Sequence, residues 1–133
     1  VVGGSSGIGY ELTKQLSEAG HSVTVLSRSK GKLDELSNVS HIEYDVISDE
    51  DPNIDFDNID GFAYCPGTIN LKPFHGLKPG DFQNDFDVNV KGVLYSTGAV
   101  ISHMKEKKSG HIVNLSSVTG RVVFAGGSSG QSG

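Results

Sequence analysis

Two groups of residues near the start of the sequence could hold an anionic ligand. Val1-Val2 runs directly into Gly3-Gly4-Ser5-Ser6-Gly7-Ile8-Gly9, which opens an amphipathic stretch. Glycines at the end of a strand permit positive φ, and without side chains they let peptide N–H groups approach a diphosphate. The helix that follows adds free N–H groups and a partial positive charge at its first turn. Gly3, Ser5, Ser6, Gly7, Ile8 and Gly9 are therefore the candidate phosphate loop, although a plain strand-to-helix turn has the same outline. The second group is Ser27-Arg28, at the end of the next apolar segment and 18 residues past Gly9. A residue that reads a ribose is expected about 20 residues on. A carboxylate there would accept from a 2′-hydroxyl and repel a 2′-phosphate; a serine followed by an arginine does the reverse. The pair favours NADP(H) over NAD(H), the competing reading being a solvated loop cation.

The elements that must position these groups follow from periodicity. Residues 10–19 are amphipathic, with Ile8, Leu12 and Leu16 on one expected helix face, and Gly20 stands where a helix is capped. Residues 22–26 (Ser-Val-Thr-Val-Leu) read as a buried strand. A short helix is expected over 30–37, a strand over 42–44, an acidic loop over 49–60 and a strand over 61–65. After a turn-rich connection over 72–80, apolar residues from Phe82 to Met104 keep to steps of three and four, which predicts one long helix over 81–108. Residues 111–115 (His-Ile-Val-Asn-Leu) are the last strand. Strands alternating with helices predict an α/β fold, a Rossmann-like doubly wound parallel sheet. Two valines are too few for a full first strand, so the sheet is expected to be truncated at both ends. The domain is expected over residues 1–125, followed by a flexible tail over 126–133 that contains only Gly, Ser and one Gln.

Composition narrows the partners. The formal net charge is −5, which opposes non-specific nucleic-acid binding. The densest basic run, Lys105 to Lys108, is interrupted by Glu106 and reads as a solvated helix end. The single cysteine, Cys65, excludes an internal disulfide framework. The five histidines have no ligand spacing, and the carboxylates between Asp49 and Asp60 lack Ca²⁺-loop register, so no metal is expected. No segment approaches the roughly 20 apolar residues of a membrane span. No leader pattern stands at Val1, and the expected location is cytoplasmic.

With these residues in place, the sequence resembles the short-chain dehydrogenase/reductase family. Val2-Gly3-Gly4-Ser5-Ser6-Gly7-Ile8-Gly9 resembles its Thr-Gly-x-x-x-Gly-Ile-Gly loop, with Val2 in place of the threonine. Asp45-Val46 resembles the pair that holds the adenine ring. Tyr64-Cys65-Pro66-Gly67 stands where the family has Asn-Asn-Ala-Gly, which implies weaker side-chain bracing of the central strand, while Pro66 and Gly67 keep backbone contact with the coenzyme. Asn89, in Val88-Asn89-Val90, matches the asparagine that supports a water in the proton relay. Ile112-Val113-Asn114-Leu115-Ser116-Ser117 matches the strand that leads to the catalytic serine, with Ser117 in that register. The resemblance spans residues 1–127 and implies hydride transfer between a nicotinamide and a carbonyl or alcohol substrate. It also implies a homodimer or homotetramer formed through helix 81–108, the competing reading of that helix's apolar stripe being core packing alone.

One departure bears on activity. The resemblance implies a Tyr-x-x-x-Lys pair beyond the serine, near Gly130, but no tyrosine follows Ser117 and no lysine follows Lys108. Tyr10 to Lys14 has that spacing, yet its place beside the phosphate loop marks it as coincidence. In this family the tyrosine exchanges a proton with the substrate oxygen, and loss of a general acid costs about 10²- to 10⁴-fold. Two expectations follow: an oxidoreductase by descent, or a dinucleotide-binding module that turns nothing over.

Overall fold

The structure is a computed structural model that describes residues 1–48 and 53–117. The expected tail over 126–133, and residues 49–52 of the acidic loop, lie outside the described residues. Among the described residues there are four strands: β1 (Val23–Ser27), β2 (Val39–Glu43), β3 (Gly61–Tyr64) and β4 (His111–Asn114). β1 pairs with β2 and β3 with β4, both in parallel register. Val2 joins the two pairs, bridging in parallel to Leu26 on one side and Tyr64 on the other. Its N–H donates to the Ala63 carbonyl at 2.9 Å, and its own carbonyl accepts from the Cys65 N–H at 3.0 Å. Across the other edge, the Gly3 N–H donates to the Leu26 carbonyl and the Leu26 N–H to the Val1 carbonyl. The parallel sheet thus has the order β2, β1, Val2, β3, β4, with the Val2 segment at its centre. The chain steps outward from Val2 to β1 and β2, then crosses back to β3, so a switch point lies beside Val2.

Helix α1 (Gly7–Glu18) covers the β1 side. The expected face of Ile8, Leu12 and Leu16 is buried only in part: Leu12 and Leu16 are half-buried, but Ile8 is 65% exposed, and the fully buried residues are Gly9, Thr13 and Ser17. Small residues bring the helix close to the sheet. Their polar atoms are satisfied locally, Thr13 Oγ1 donating to the Gly9 carbonyl and Ser17 Oγ to the Ser37 carbonyl. Val23, Val25 and Leu33 form the core beneath, joined by Tyr10 and Leu16. Burial of each such aliphatic side chain contributes about 1.5–3 kcal/mol. Tyr10 is therefore a packing residue, in keeping with a coincidental match. The helix expected over 30–37 is only a 3₁₀ turn, Leu33–Glu35.

The long helix is present but not uniform. α2 (Pro79–Phe86) and α3 (Gly92–Glu106) are joined by a π-helical turn, Asp87–Lys91. There the Gly92 N–H reaches back five residues to the Asp87 carbonyl. The buried Tyr64 hydroxyl enters at this turn and donates to the Val88 carbonyl at 2.6 Å. A β-carbon at Gly92 would collide with that hydroxyl. The bracing expected to be weak without the family's asparagine is thus supplied by a phenol. Among the described residues no helix is long and apolar enough to cross a membrane.

Candidate coenzyme cleft

Every loop that leaves the carboxyl end of a strand contributes to one cleft of about 430 Å³. Parallel sheets place ligands there, at the switch point of strand order. The loop after Val2 supplies Gly3, Ser5, Ser6, Gly7, Ile8 and Gly9. The end of β1 supplies Ser27 and Arg28, and the segment after β2 supplies Asp45 and Val46. Pro66 and Gly67 follow β3. All twelve residues expected to bind a coenzyme therefore face a single space.

The glycine loop suits a diphosphate. Gly7 has φ +55° and open space where a side chain would stand. Gly9 lies so close to the Gly3 carbonyl that a β-carbon would collide with it. The loop is thus held by backbone contact, its Gly7 flank bare and the first turn of α1 behind it. No side chain caps that turn and no acidic residue occupies it, so its positive end is not neutralised locally.

At the β1 end the Ser27 hydroxyl is already engaged. It donates to the Ser29 carbonyl at 2.8 Å, and His41 Nε2 lies 3.0 Å from its oxygen and 3.1 Å from the Ser27 carbonyl. A carbonyl only accepts, so His41 Nε2 carries a proton. Arg28 is exposed beside this knot and gives the cleft its cation. Asp45 Oδ1 accepts from the Ile47 N–H at 3.2 Å, which fixes the turn after β2, and Val46 packs on the Val2–Leu26–Tyr64 core.

The opposite wall holds residues that motif reasoning did not single out: Thr68, Asn84, Val88 and Leu115. Thr68 follows Gly67, and the Asn89 side chain clasps its backbone. Asn89 Oδ1 accepts from the Thr68 N–H at 2.9 Å, and Asn89 Nδ2 donates to the Thr68 carbonyl at 2.7 Å. Asn89 thus acts on the cleft through Thr68. Leu115 lines the cleft, whereas Ser117 stands two residues further on, exposed and not among the lining residues. Cys65 also lines this space, and burial pushes its thiol up.

Comparison with known proteins agrees with this geometry. The model of a family described as short chain dehydrogenase matches residues 1–129. An uncharacterized oxidoreductase of Staphylococcus saprophyticus is 36% identical over 95% of this chain and 56% of its own length. The NADP-dependent 3-hydroxy acid dehydrogenase YdfG of Shigella flexneri is 30% identical over 96% of this chain and 56% of its own. Among solved structures, serine dehydrogenase from Escherichia coli superimposes with a TM-score of 0.84 at 29% identity, covering 94% of this chain and 63% of that one. The chain spans a little over half the length of these curated relatives.

Proposed function

The chain belongs to the short-chain dehydrogenase family, and from that premise we propose that it forms the coenzyme-binding part of an NADP(H)-dependent oxidoreductase acting on a carbonyl or alcohol substrate. One observation carries this reading: the loops at the strand ends converge on a single cleft at the switch point. The bare amides of the Gly3–Gly9 loop seat the diphosphate, and α1 places its positive end behind them. Arg28 takes the 2′-phosphate, which selects NADP(H) over NAD(H). Asp45 and Val46 hold the adenine ring, while Pro66 and Gly67 form the opposite edge. When bound, the nicotinamide supplies or accepts a hydride. Ser117 hydrogen-bonds the substrate oxygen and stabilises the charge that develops there. Asn89 keeps the turn at Thr68 in register, from which a relay water is held. The similarity to the NADP-dependent YdfG and to a serine dehydrogenase complexed with NADP⁺ supports the choice of coenzyme.

Association through the long helix belongs to the same proposal. Leu94 and Tyr95 are more than 60% exposed on α3, an apolar surface suited to a second copy.

The test has two parts. Calorimetric titration of the 133-residue chain with NADPH and NADH should show saturable binding, tighter for NADPH. An NADPH-oxidation assay over a panel of ketones then separates turnover from binding alone. Tighter NADH binding refutes the Arg28 assignment. Binding without turnover favours the second reading, a dinucleotide module.

A further inference from the structure

Asp85 is fully buried, at 0% exposure, on the helix behind the cleft wall. Burial of a carboxylate is unfavourable by several kcal/mol unless donors compensate it, and an apolar residue of similar size is often no less stable. Here the donors come from one short segment. Thr68 Oγ1 donates to Asp85 Oδ1 at 2.5 Å, Asn70 Nδ2 to the same oxygen at 3.1 Å, and the Asn70 N–H to Oδ2 at 3.3 Å. One turn earlier, Asp81 meets the same segment. Lys72 Nζ donates to Asp81 Oδ2 at 2.9 Å, and Asn70 Nδ2 to the Asp81 carbonyl at 3.3 Å. The hydrogen bond from Lys72, joined by the Lys78 N–H, holds the Asp81 carboxyl below the usual carboxylate range. One turn later, Asn89 clasps Thr68.

The result is a ladder. Asp81, Asp85 and Asn89 stand four residues apart on the helix, and Lys72, Asn70 and Thr68 meet them in reverse order. Four helical residues rise about 6 Å, and two residues of open chain cover about the same distance, so the rows keep step. Asp85 is the middle rung and the buried one. The ladder fixes a segment that begins at the cleft wall, since Pro66, Gly67 and Thr68 line the cleft. By sheet order this wall lies on the β3 side of the glycine loop, whereas Arg28 lies on the β1 side.

We propose that Asp85 is a positioning residue of the cleft: through Thr68 and Asn70 it sets the wall that receives the half of the dinucleotide remote from Arg28. This rests on the dinucleotide reading above and adds a determinant for one half of the ligand.

The two halves separate experimentally. Adenosine 2′,5′-bisphosphate probes only the Arg28 side, while NADPH spans both. Both ligands are titrated calorimetrically against the 133-residue chain and its Asp85→Ala and Thr68→Val variants. Asp85→Ala should weaken NADPH binding about tenfold and adenosine 2′,5′-bisphosphate binding by less than about twofold. Thr68→Val removes the hydroxyl but keeps the volume and the Asn89 clasp, and should give a smaller loss with the same selectivity. If Asp85→Ala does not fold, Thr68→Val alone decides. Equal losses for both ligands, or no loss for NADPH, overturn the proposal while the dinucleotide reading stands. Failure of the unaltered chain to bind either ligand overturns that reading, and this proposal with it.

Discussion

The hydroxyl of Tyr64 donates to the carbonyl of Val88 at 2.6 Å, tying the strand beside Val2 to the widened turn of the long helix. The contact exists because Gly92 leaves room for the phenol. It fixes both sides of the cleft wall at once, since Val88 lines the cleft and Tyr64 precedes Cys65 and Pro66.

Tyr64→Phe should destabilise the fold by about 1–3 kcal/mol, because the buried Val88 carbonyl loses its donor. Gly92→Ala should destabilise it by a comparable amount through overpacking. Urea unfolding of the three proteins checks both. If Tyr64→Phe matches the unaltered chain, the hydrogen bond contributes nothing.

The same residue predicts an alkaline limit. Burial raises the Tyr64 pKa well above its ordinary 10.0. The folded chain therefore keeps this proton where the unfolded chain has lost it. The stability it contributes is complete below the unfolded value and falls as pH climbs beyond about 10. Unfolding midpoints measured from neutral to alkaline pH should decline there, and Tyr64→Phe should flatten that part of the decline.

Arg28→Asp should reverse the coenzyme preference. The carboxylate would repel a 2′-phosphate and accept from a 2′-hydroxyl, a change worth about tenfold or more in the ratio of NADPH to NADH dissociation constants. Titration of both coenzymes against the variant measures it. An unchanged ratio would make Arg28 a solvated loop cation.

Gly9→Ala should abolish coenzyme binding, since the added carbon collides with the Gly3 carbonyl and displaces the phosphate loop. For the unaltered chain, NADPH at 100 times its dissociation constant should add about 2.7 kcal/mol of stability. Thermal melts with and without NADPH test both statements: the unaltered chain should shift upward and the variant should not.

The cleft was legible in the sequence to the extent that its chemistry is local. Glycines, a strand end and a cation at fixed spacing named Gly3 to Gly9, Ser27 and Arg28 because each supplies its group from the loop it sits on. Parts of the fold escaped for the opposite reason. Counting apolar residues put Ile8, Leu12 and Leu16 on one helix face, but the fully buried positions are Gly9, Thr13 and Ser17, whose small size leaves no hydrophobic signal. The π turn at Asp87–Lys91 shifts the helical phase by only one residue, which a pattern of three- and four-residue steps absorbs. Asp85 escaped notice because its donors, Thr68 and Asn70, lie 17 and 15 residues away in the sequence. Tyr64 looked like a lost brace because its partner, Val88, lies 24 residues away.

Among the described residues, the short segment from Val1 to Gly3 carries the lateral seam between the strand pairs on either side of it. Hydrogen exchange should therefore divide the molecule along that line. The amides of Val2, Gly3, Leu26 and Cys65 would open together, while ladder protons inside each pair outlast them. A ligand anchored on the loop just after Val2 and reaching both flanks would act as a rivet across the seam, and its slowing of exchange should be greatest at those four amides.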